Sequence, residues 1–413
     1  MVIIRNVTVI NGSDSISDAE VVVTDGKFSA IRPVTDEQPA IDGHGGYLVP
    51  GLCESHTHLL GPAMGQPENE RVPHLSGMLA GYLAAGITSV MDLGGPTDLA
   101  RAYRAAVPDP VARLFFAGQS FTGIRGWPVL DNSAFTAIAH QVDDPERAYA
   151  LALAASDEVD FIKCIYDGEP GAPEKLTFGV LRAIVAAAHE KGKKVMVHVH
   201  HRDDIDDAVA VGADGIEHAF LPEEPASTSE AADVAATLAE SGTYYCPTLV
   251  TFEQIARNGD VTYFDELVRD GIATTEDIPR IMASPLYERP FPRHPADECA
   301  TRFDYAMRTL GTMHDAGVKI VAGSDVAMLM PSPPLALFRE MQLLAKAGLP
   351  LDAVLAASTR HAAAKIGQDA NIGTIAPGAA ADALLLDANP LTDLAHLIDP
   401  SHRIGILRNG QMS

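Results

Sequence analysis

Residues 313–325 read MHDAGVKIVAGSD: a helical, Ala-bearing stretch, then Gly317, then a short apolar run rich in β-branched residues. The same phrase recurs as YLAAGITSVMDL (82–93), AHEKGKKVMVHV (188–199), AVAVGADGIEH (208–218) and LAESGTYYCPTL (238–249). In each, a glycine (Gly86, Gly192, Gly212, Gly242 or Gly317) stands where a helix would end and a strand begin. Glycine takes the left-handed conformation that closes a helix, which most other residues resist. Repeated junctions of this kind predict β/α units and a parallel sheet. With the remaining apolar runs, eight strands are expected near residues 52–57, 87–93, 113–117, 159–165, 194–199, 215–218, 243–248 and 318–323. Helical patterns such as 178–191 and 296–316 separate them. The expected fold is therefore α/β, a (β/α)8 TIM barrel over residues 50–372. A doubly wound sheet is the alternative, but no phosphate-binding GxGxxG turn is present.

The two ends read differently. Residues 1–49 hold short alternating runs and turns such as NGS and DGK, and residues 373–413 hold IGTIAPGAAADALLLD and IGILRNGQ. Both are strand-like, and together they are expected to form one small β-sandwich domain beside the barrel. The opening MVIIRNVTVINGSD alternates apolar and polar residues, so it reads as a strand and not as a signal peptide.

Composition narrows the function classes. The chain has 413 residues, 47% hydrophobic and 21% charged, with 34 Gly and 28 Pro, which is ordinary for a globular protein. Its net charge of −25 disfavours nucleic acid and anionic membranes as partners, because both would be repelled. No apolar run approaches the roughly 18–20 residues of a membrane span. The four cysteines (Cys53, Cys164, Cys246, Cys299) are far apart and unpaired in sequence, as expected of buried thiols in a reducing cytoplasm. A small-molecule substrate is the expected partner, and a homo-oligomer is left open.

Active sites of such barrels form at the C-terminal ends of the strands. Five expected strands end in residues that handle metals or protons. The first ends in His56-Thr57-His58, and residues i and i+2 on a strand share a face, so both imidazoles can point at one ion. The fourth, DFIKCIYDG, carries Lys163 in an apolar run, where a buried ammonium would be costly. Either Lys163 snorkels or pairs, or it is carboxylated by CO2 and its carbamate bridges two cations. The fifth, VMVHVHH, offers His198 and His200 on one face. The sixth, GIEHAF, offers His218, and the eighth, KIVAGSD, delivers Asp325 to the barrel mouth.

The order HxH, Lys, His, His, Asp, with VPGLCESHTH in front and AGSD behind, resembles the amidohydrolase superfamily. VMVHVHH followed by GIEHAF is most similar to its imidazolonepropionase-like and Xaa-Pro dipeptidase-like branch of binuclear metal hydrolases. The resemblance covers essentially the whole chain, and the offset of 20 residues between His198 and His218 selects His198 as the strand-5 ligand. It implies that His56, His58 and Asp325 hold the more buried of two divalent metals and that His198 and His218 hold the other. Carboxylated Lys163 would bridge them. Zinc is the default for so His-rich a site, with Mn, Co or Fe as alternatives where oxygen ligands bridge. A metal-bridging hydroxide would attack an amide (or an ester, lactone or carbamate), with Asp325 as the catalytic proton shuttle. Peptidase members commonly carry a His in the loop after strand 3, where this chain has Arg125 in TGIRG, and often a Tyr where it has Phe220.

Arg125, Trp127, Tyr166, His200, Phe220 and Met328 all follow expected strands and are taken as candidate substrate contacts. An arginine fork suits a carboxylate or carbonyl, and apolar side chains suit a hydrophobic substrate body. His189 and His314 fall near helix ends and are read as structural, as is His361 in STRHAAAKIG. Two other functions compete. A mononuclear deaminase or cyclic-amide hydrolase would need no lysine ligand, and a non-catalytic barrel would lack the ligand set.

Overall fold

The structure is a computed structural model. It describes residues 1–35, 40–106, 111–129, 133–168, 174–222, 224–225, 227–257, 260–276, 278–279, 296–326 and 333–413. The chain begins with four strands, β1 (Val2–Asn11), β2 (Asp14–Thr24), β3 (Lys27–Pro33) and β4 (Ile41–Pro50). The barrel strands follow: β5 (Leu52–Thr57), β6 (Ile87–Asp92), β7 (Arg113–Phe116), β8 (Ser120–Thr122), β9 (Ala139–Gln141), β10 (Ile162–Ile165), β11 (Val195–His198), β12 (Gly215–Glu217), β13 (Tyr244–Cys246) and β14 (Lys319–Ile320). Three C-terminal strands, β15 (Ala383–Leu386), β16 (Arg403–Arg408) and β17 (Gln411–Met412), return to the first four.

The fold is the (β/α)8 barrel that the glycine junctions predict. One parallel run is β5-β6-β7 and the other is β14-β13-β12-β11-β10-β8-β9. The ring closes where Thr57 bridges Val326 in parallel and Ser55 N–H donates to Ala322 O at 3.3 Å. On the other side, Asp160 N–H donates to Phe116 O at 3.0 Å. The third barrel position is split into β7 and β8. Between them Gly118 takes φ +63°, and a Cβ there would lie 2.4 Å from the Thr97 hydroxyl, so only glycine fits. Strand β9 was not anticipated from the sequence; it pairs in parallel with β8.

Helices between the strands form for ordinary reasons. Helix Phe178–Glu190 starts at Thr177, whose side chain accepts from Val180 N–H. It buries Val180, Leu181, Ile184, Val185 and Ala188, one stripe of a 3.6-residue period. The five junction glycines all have positive φ, between +67° and +89°. No helix among the described residues is long and apolar enough to cross a membrane.

The terminal strands form one seven-stranded sheet in the order β17-β16-β15-β4-β1-β2-β3, with β1 and β4 parallel and the other pairs antiparallel. Side chains from both termini share its core, among them Val7, Val21, Phe28, Leu48, Leu385 and Leu407. Inside the barrel a separate cluster joins the inward-facing Cys53, Met91, Phe161, Met196, Cys246 and Val321 to Ala362, Ala363 and Ile366. Helix Arg360–Lys365 thus plugs the N-terminal end of the barrel, opposite the strand ends that carry the histidines. All four cysteines are buried free thiols.

Outside the strands, Arg339 of helix Pro333–Lys346 is fully buried and clamps three acids. It donates to both oxygens of Glu253 (2.6 and 2.8 Å), to Glu266 (2.8 Å) and to Asp270 (2.9 Å). Removing one partner of a buried ion pair strands the others. Arg339→Met is therefore expected to destabilise the fold by about 3–5 kcal/mol. A denaturant midpoint equal to wild type would show the clamp to be dispensable.

Candidate metal centre

The site is built at the end of β5. His56 and His58 lie on one face, with ring centroids 5.4 Å apart. Each ring is held by its Nδ1: His56 pairs with Glu217 Oε2 at 2.7 Å and His58 with Gly94 O at 3.3 Å. Both therefore turn Nε2 toward Asp325, whose Oδ1 lies 3.3 Å from His56 and 3.2 Å from His58. These three side chains offer ligand atoms within 4.8 Å of one another.

Asp325 reaches this place through the backbone. It has φ +52°, and its N–H donates to His56 O at 2.7 Å. Glu54 fixes the same seam from below. Its carboxylate accepts from His56 N–H (3.1 Å), Ser324 N–H (3.0 Å) and the Ser324 hydroxyl (2.7 Å). Gly323 completes it, because a Cβ there would lie 2.7 Å from Cys246 Sγ and 2.8 Å from His56 Cβ.

The other histidines converge from the next strands. His198 ends β11 in register with Glu217, and its ring lies 4.3 Å from that of His218. His218 has φ +79°, which breaks strand alternation, so the adjacent Glu217 and His218 both meet His56. The hydroxyl of Thr248, itself left-handed at φ +48°, is 3.0 Å from His218 Nδ1. Lys163, on fully buried β10, has an Nζ with no hydrogen-bond partner among the described residues. His56 Nε2 is buried and likewise without a hydrogen bond.

Electrostatics prepare these groups as ligands. Burial, with Lys163 adding to it, lowers His56 to about 4, and burial drives His218 well below its ordinary value. Both are neutral at pH 7, with a lone pair to offer. Burial lowers Lys163 as well, against the pull of Glu217 and Asp325. Burial opposes ionisation of Asp325, but His56 and His58 outweigh it and hold the carboxyl at about 2.

The remaining candidates are placed more diversely. His200 Nε2 lies 3.0 Å from Asp167 Oδ2, and its Nδ1 accepts from buried Arg302 at 2.7 Å. The Tyr166 hydroxyl donates to Asp207 at 2.6 Å, with Lys175 4.3 Å over its ring. Phe220 is buried, edge-on to Tyr305 at 5.3 Å. Arg125 is exposed in a turn of φ +56° and donates its backbone N–H to Gln141 at 2.8 Å. Trp127 is half-buried beside it, and Met328 lies outside the described residues. His361 sits at the opposite end of the barrel, its Nδ1 on Ile320 O at 3.0 Å.

Sequence reasoning missed Asp167, Glu54, Glu217 and Lys365. Asp167 follows the Lys163 strand directly and belongs with His198 and His200 to a second cluster of ligand-type atoms. The acidic neighbours of the histidines in CESHTH and GIEH were the available signal for Glu54 and Glu217. Nothing local marks Lys365.

With this geometry in hand, the chain matches the Amidohydrolase family over residues 47–412, and it belongs to that family. An uncharacterised protein of Mycobacterium tuberculosis is 25% identical over 237 residues, 56% of this chain and 57% of its own length. Ochratoxinase of Aspergillus niger is 27% identical over 285 residues, 67% of this chain and 50% of its own. The chain thus spans between 50% and 57% of the length of these curated relatives. A solved prolidase complexed with N-methylphosphonate-L-proline shares the fold, with a TM-score of 0.78 at 23% identity, covering 100% of this chain and 99% of that one.

The Glu54 seam makes a signed prediction. Burial, the largest influence, pushes Glu54 up to about 7 from an ordinary 4.5. A folded value above the unfolded one means that the proton's stabilising contribution is complete below about 4.5 and is lost as pH rises through about 7. Glu54→Gln keeps an acceptor for both N–H groups and cannot ionise. Its melting temperature, relative to wild type in metal-free protein, should rise as pH climbs through that window. A difference that does not vary with pH would refute this account.

Proposed function

We propose that the chain is a metal-dependent hydrolase that cleaves an amide bond of a small molecule at a centre for two divalent ions. The observation that carries it is the convergence of His56, His58, His198, His218 and Asp325 near a buried lysine amine that hydrogen-bonds to none of the described residues. An unpaired buried amine is costly unless something completes it. Lys163, pushed by burial toward the neutral amine, is suited to add CO2, giving an N-carboxylate and releasing one proton. His56, His58 and Asp325 would hold one ion, His198 and His218 the other, and the Lys163 carboxylate would serve both. The His-rich donor set fits zinc, with Mn, Co or Fe as alternatives.

Bound there, the two cations supply Lewis acidity, lowering the pKa of water toward neutrality and polarising a carbonyl. The chain's own residues do the rest. Asp325, ionised between two imidazoles, takes the proton of the attacking water and delivers it to the leaving nitrogen. Glu54 holds the neighbouring Ser324 against His56 throughout. Arg125, Trp127 and Met328 are assigned to the polar and apolar ends of the substrate. Tyr166 and Phe220, both buried and engaged with Asp207 and Tyr305, would meet the substrate, if at all, through their ring faces alone.

Relatives named as a prolidase and an ochratoxinase favour a carbon–nitrogen bond over an ester or lactone. A mononuclear deaminase has no use for Lys163, so the unpartnered amine favours the binuclear reading.

Metal-replete protein should hold two zinc ions per chain by elemental analysis and hydrolyse members of a panel of N-acyl amino acids and dipeptides. One ion at saturation would support the mononuclear alternative. Lys163→Ala should lower both metal content and kcat, the latter by about a hundredfold or more, with partial recovery in short carboxylic acids. Near-wild-type turnover in that variant would refute the carboxylated lysine.

A further inference from the structure

His56 is held by a chain of contacts that crosses the barrel. Its Nδ1 lies 2.7 Å from Glu217 Oε2, and Glu217 Oε1 accepts from Lys365 Nζ at 2.8 Å. Lys365 belongs to the helix that plugs the N-terminal end of the barrel, so its stem runs through the interior to reach the ligand end. The route is built in. A Cβ at Gly215 would lie 3.3 Å from Lys365 Cδ and 2.6 Å from Met196 Sδ, so the glycine gives the stem clearance that a larger residue would take. At the far end the ammonium spends its three donors on Glu217, Ser55 O (3.1 Å) and the Ser55 hydroxyl (3.4 Å). Lys365, Glu217 and His56 are all fully buried.

This arrangement decides between two uses of one cluster. His56, Glu217 and Cys246 offer ligand-type atoms close enough together to hold an ion. The Lys365 ammonium already stands on that carboxylate as a fixed cation, which leaves no call for a metal. The remaining role of Glu217 is directional. An imidazole whose Nδ1–H donates to a carboxylate presents its lone pair at Nε2, an arrangement common behind metal-bound histidines. His56 Nε2 is the atom that faces Asp325.

We propose that Lys365 and Glu217 are positioning residues that, as one unit, hold His56 with Nε2 toward the metal and so govern retention of the ion at His56, His58 and Asp325. The proposal rests on the binuclear reading above. Lys365 fixes the orientation of the Glu217 carboxylate, and Glu217 fixes the ring.

The test compares zinc binding by wild type, Glu217→Gln, Lys365→Met and the double variant, by competition with a chromophoric chelator. Each single variant should weaken one of two zinc sites by about 10–100-fold and leave the other at wild-type affinity. The double variant should be no weaker than the worse single, because the two residues act through one another. It also leaves no unpaired buried charge, so it keeps the test decisive where Lys365→Met alone does not fold. Single variants that hold both ions at wild-type affinity, in a wild type that binds two, would overturn the relay and leave the functional reading standing. Single effects that multiply in the double variant would overturn it equally. A wild type that binds no zinc overturns both.

Discussion

The carboxylate of Glu54 accepts the backbone N–H of His56 on one side and that of Ser324 on the other, and most of the site hangs on that seam. It joins the first barrel strand to the segment after the last, so it closes the barrel and sets the HxH pair against Asp325 in one act. The contact is tight on every side. Asp325 N–H donates to His56 O, and Gly323 leaves no space even for a methyl group beside Cys246 and His56. Larger side chains at such a place force backbone shifts, and a shift here would separate the three ligand-type atoms.

The second constraint is charge. Several imidazoles, an amine and a guanidinium share the buried mouth, and cations in a desolvated space repel one another. The protein resolves this by keeping His56, His200 and His218 neutral through burial and by placing acids against the rings and cations. Asp325 faces His56 and His58, Glu217 faces His56 and Lys365, and Asp167 faces His198 and His200. Burial alone would protonate Glu217, yet Lys365 and His56 outweigh it and keep its value low. Lys163 is the exception, since nothing among the described residues bonds to its amine. That imbalance is the strongest chemical statement the fold makes.

The strand ends are shorter than the apolar runs suggest for a related reason. The runs near 215–218, 243–248 and 318–323 end as strands at Glu217, Cys246 and Ile320. Beyond them His218, Thr248 and Asp325 turn left-handed. Such conformations cost of order 1–3 kcal/mol each for residues with a Cβ and persist only where the surroundings over-determine them. Here they re-aim two ligand-type side chains and the hydroxyl that touches one of them.

Sequence periodicity alone determined the barrel. A glycine that must turn left-handed between a helix and a β-branched run is a local requirement, and five repeats of it leave little choice of architecture. Local chemistry likewise showed which strand ends carry imidazoles, the lysine and the aspartate, because a strand's period of two is visible in HTH and HVHH. What only the tertiary structure decided are the relations across the barrel. The split at Gly118, the pairing of β8 with β9 and the left-handed turns at His218 and Asp325 depend on close approaches between segments far apart in sequence. Glu54, Asp167, Glu217 and Lys365 look like ordinary charged residues in a linear reading. Their significance comes from burial against partners such as Ser324, 270 residues from Glu54, and Glu217, 148 residues from Lys365. A side chain's surroundings are a property of the packed chain, and no window of sequence contains them.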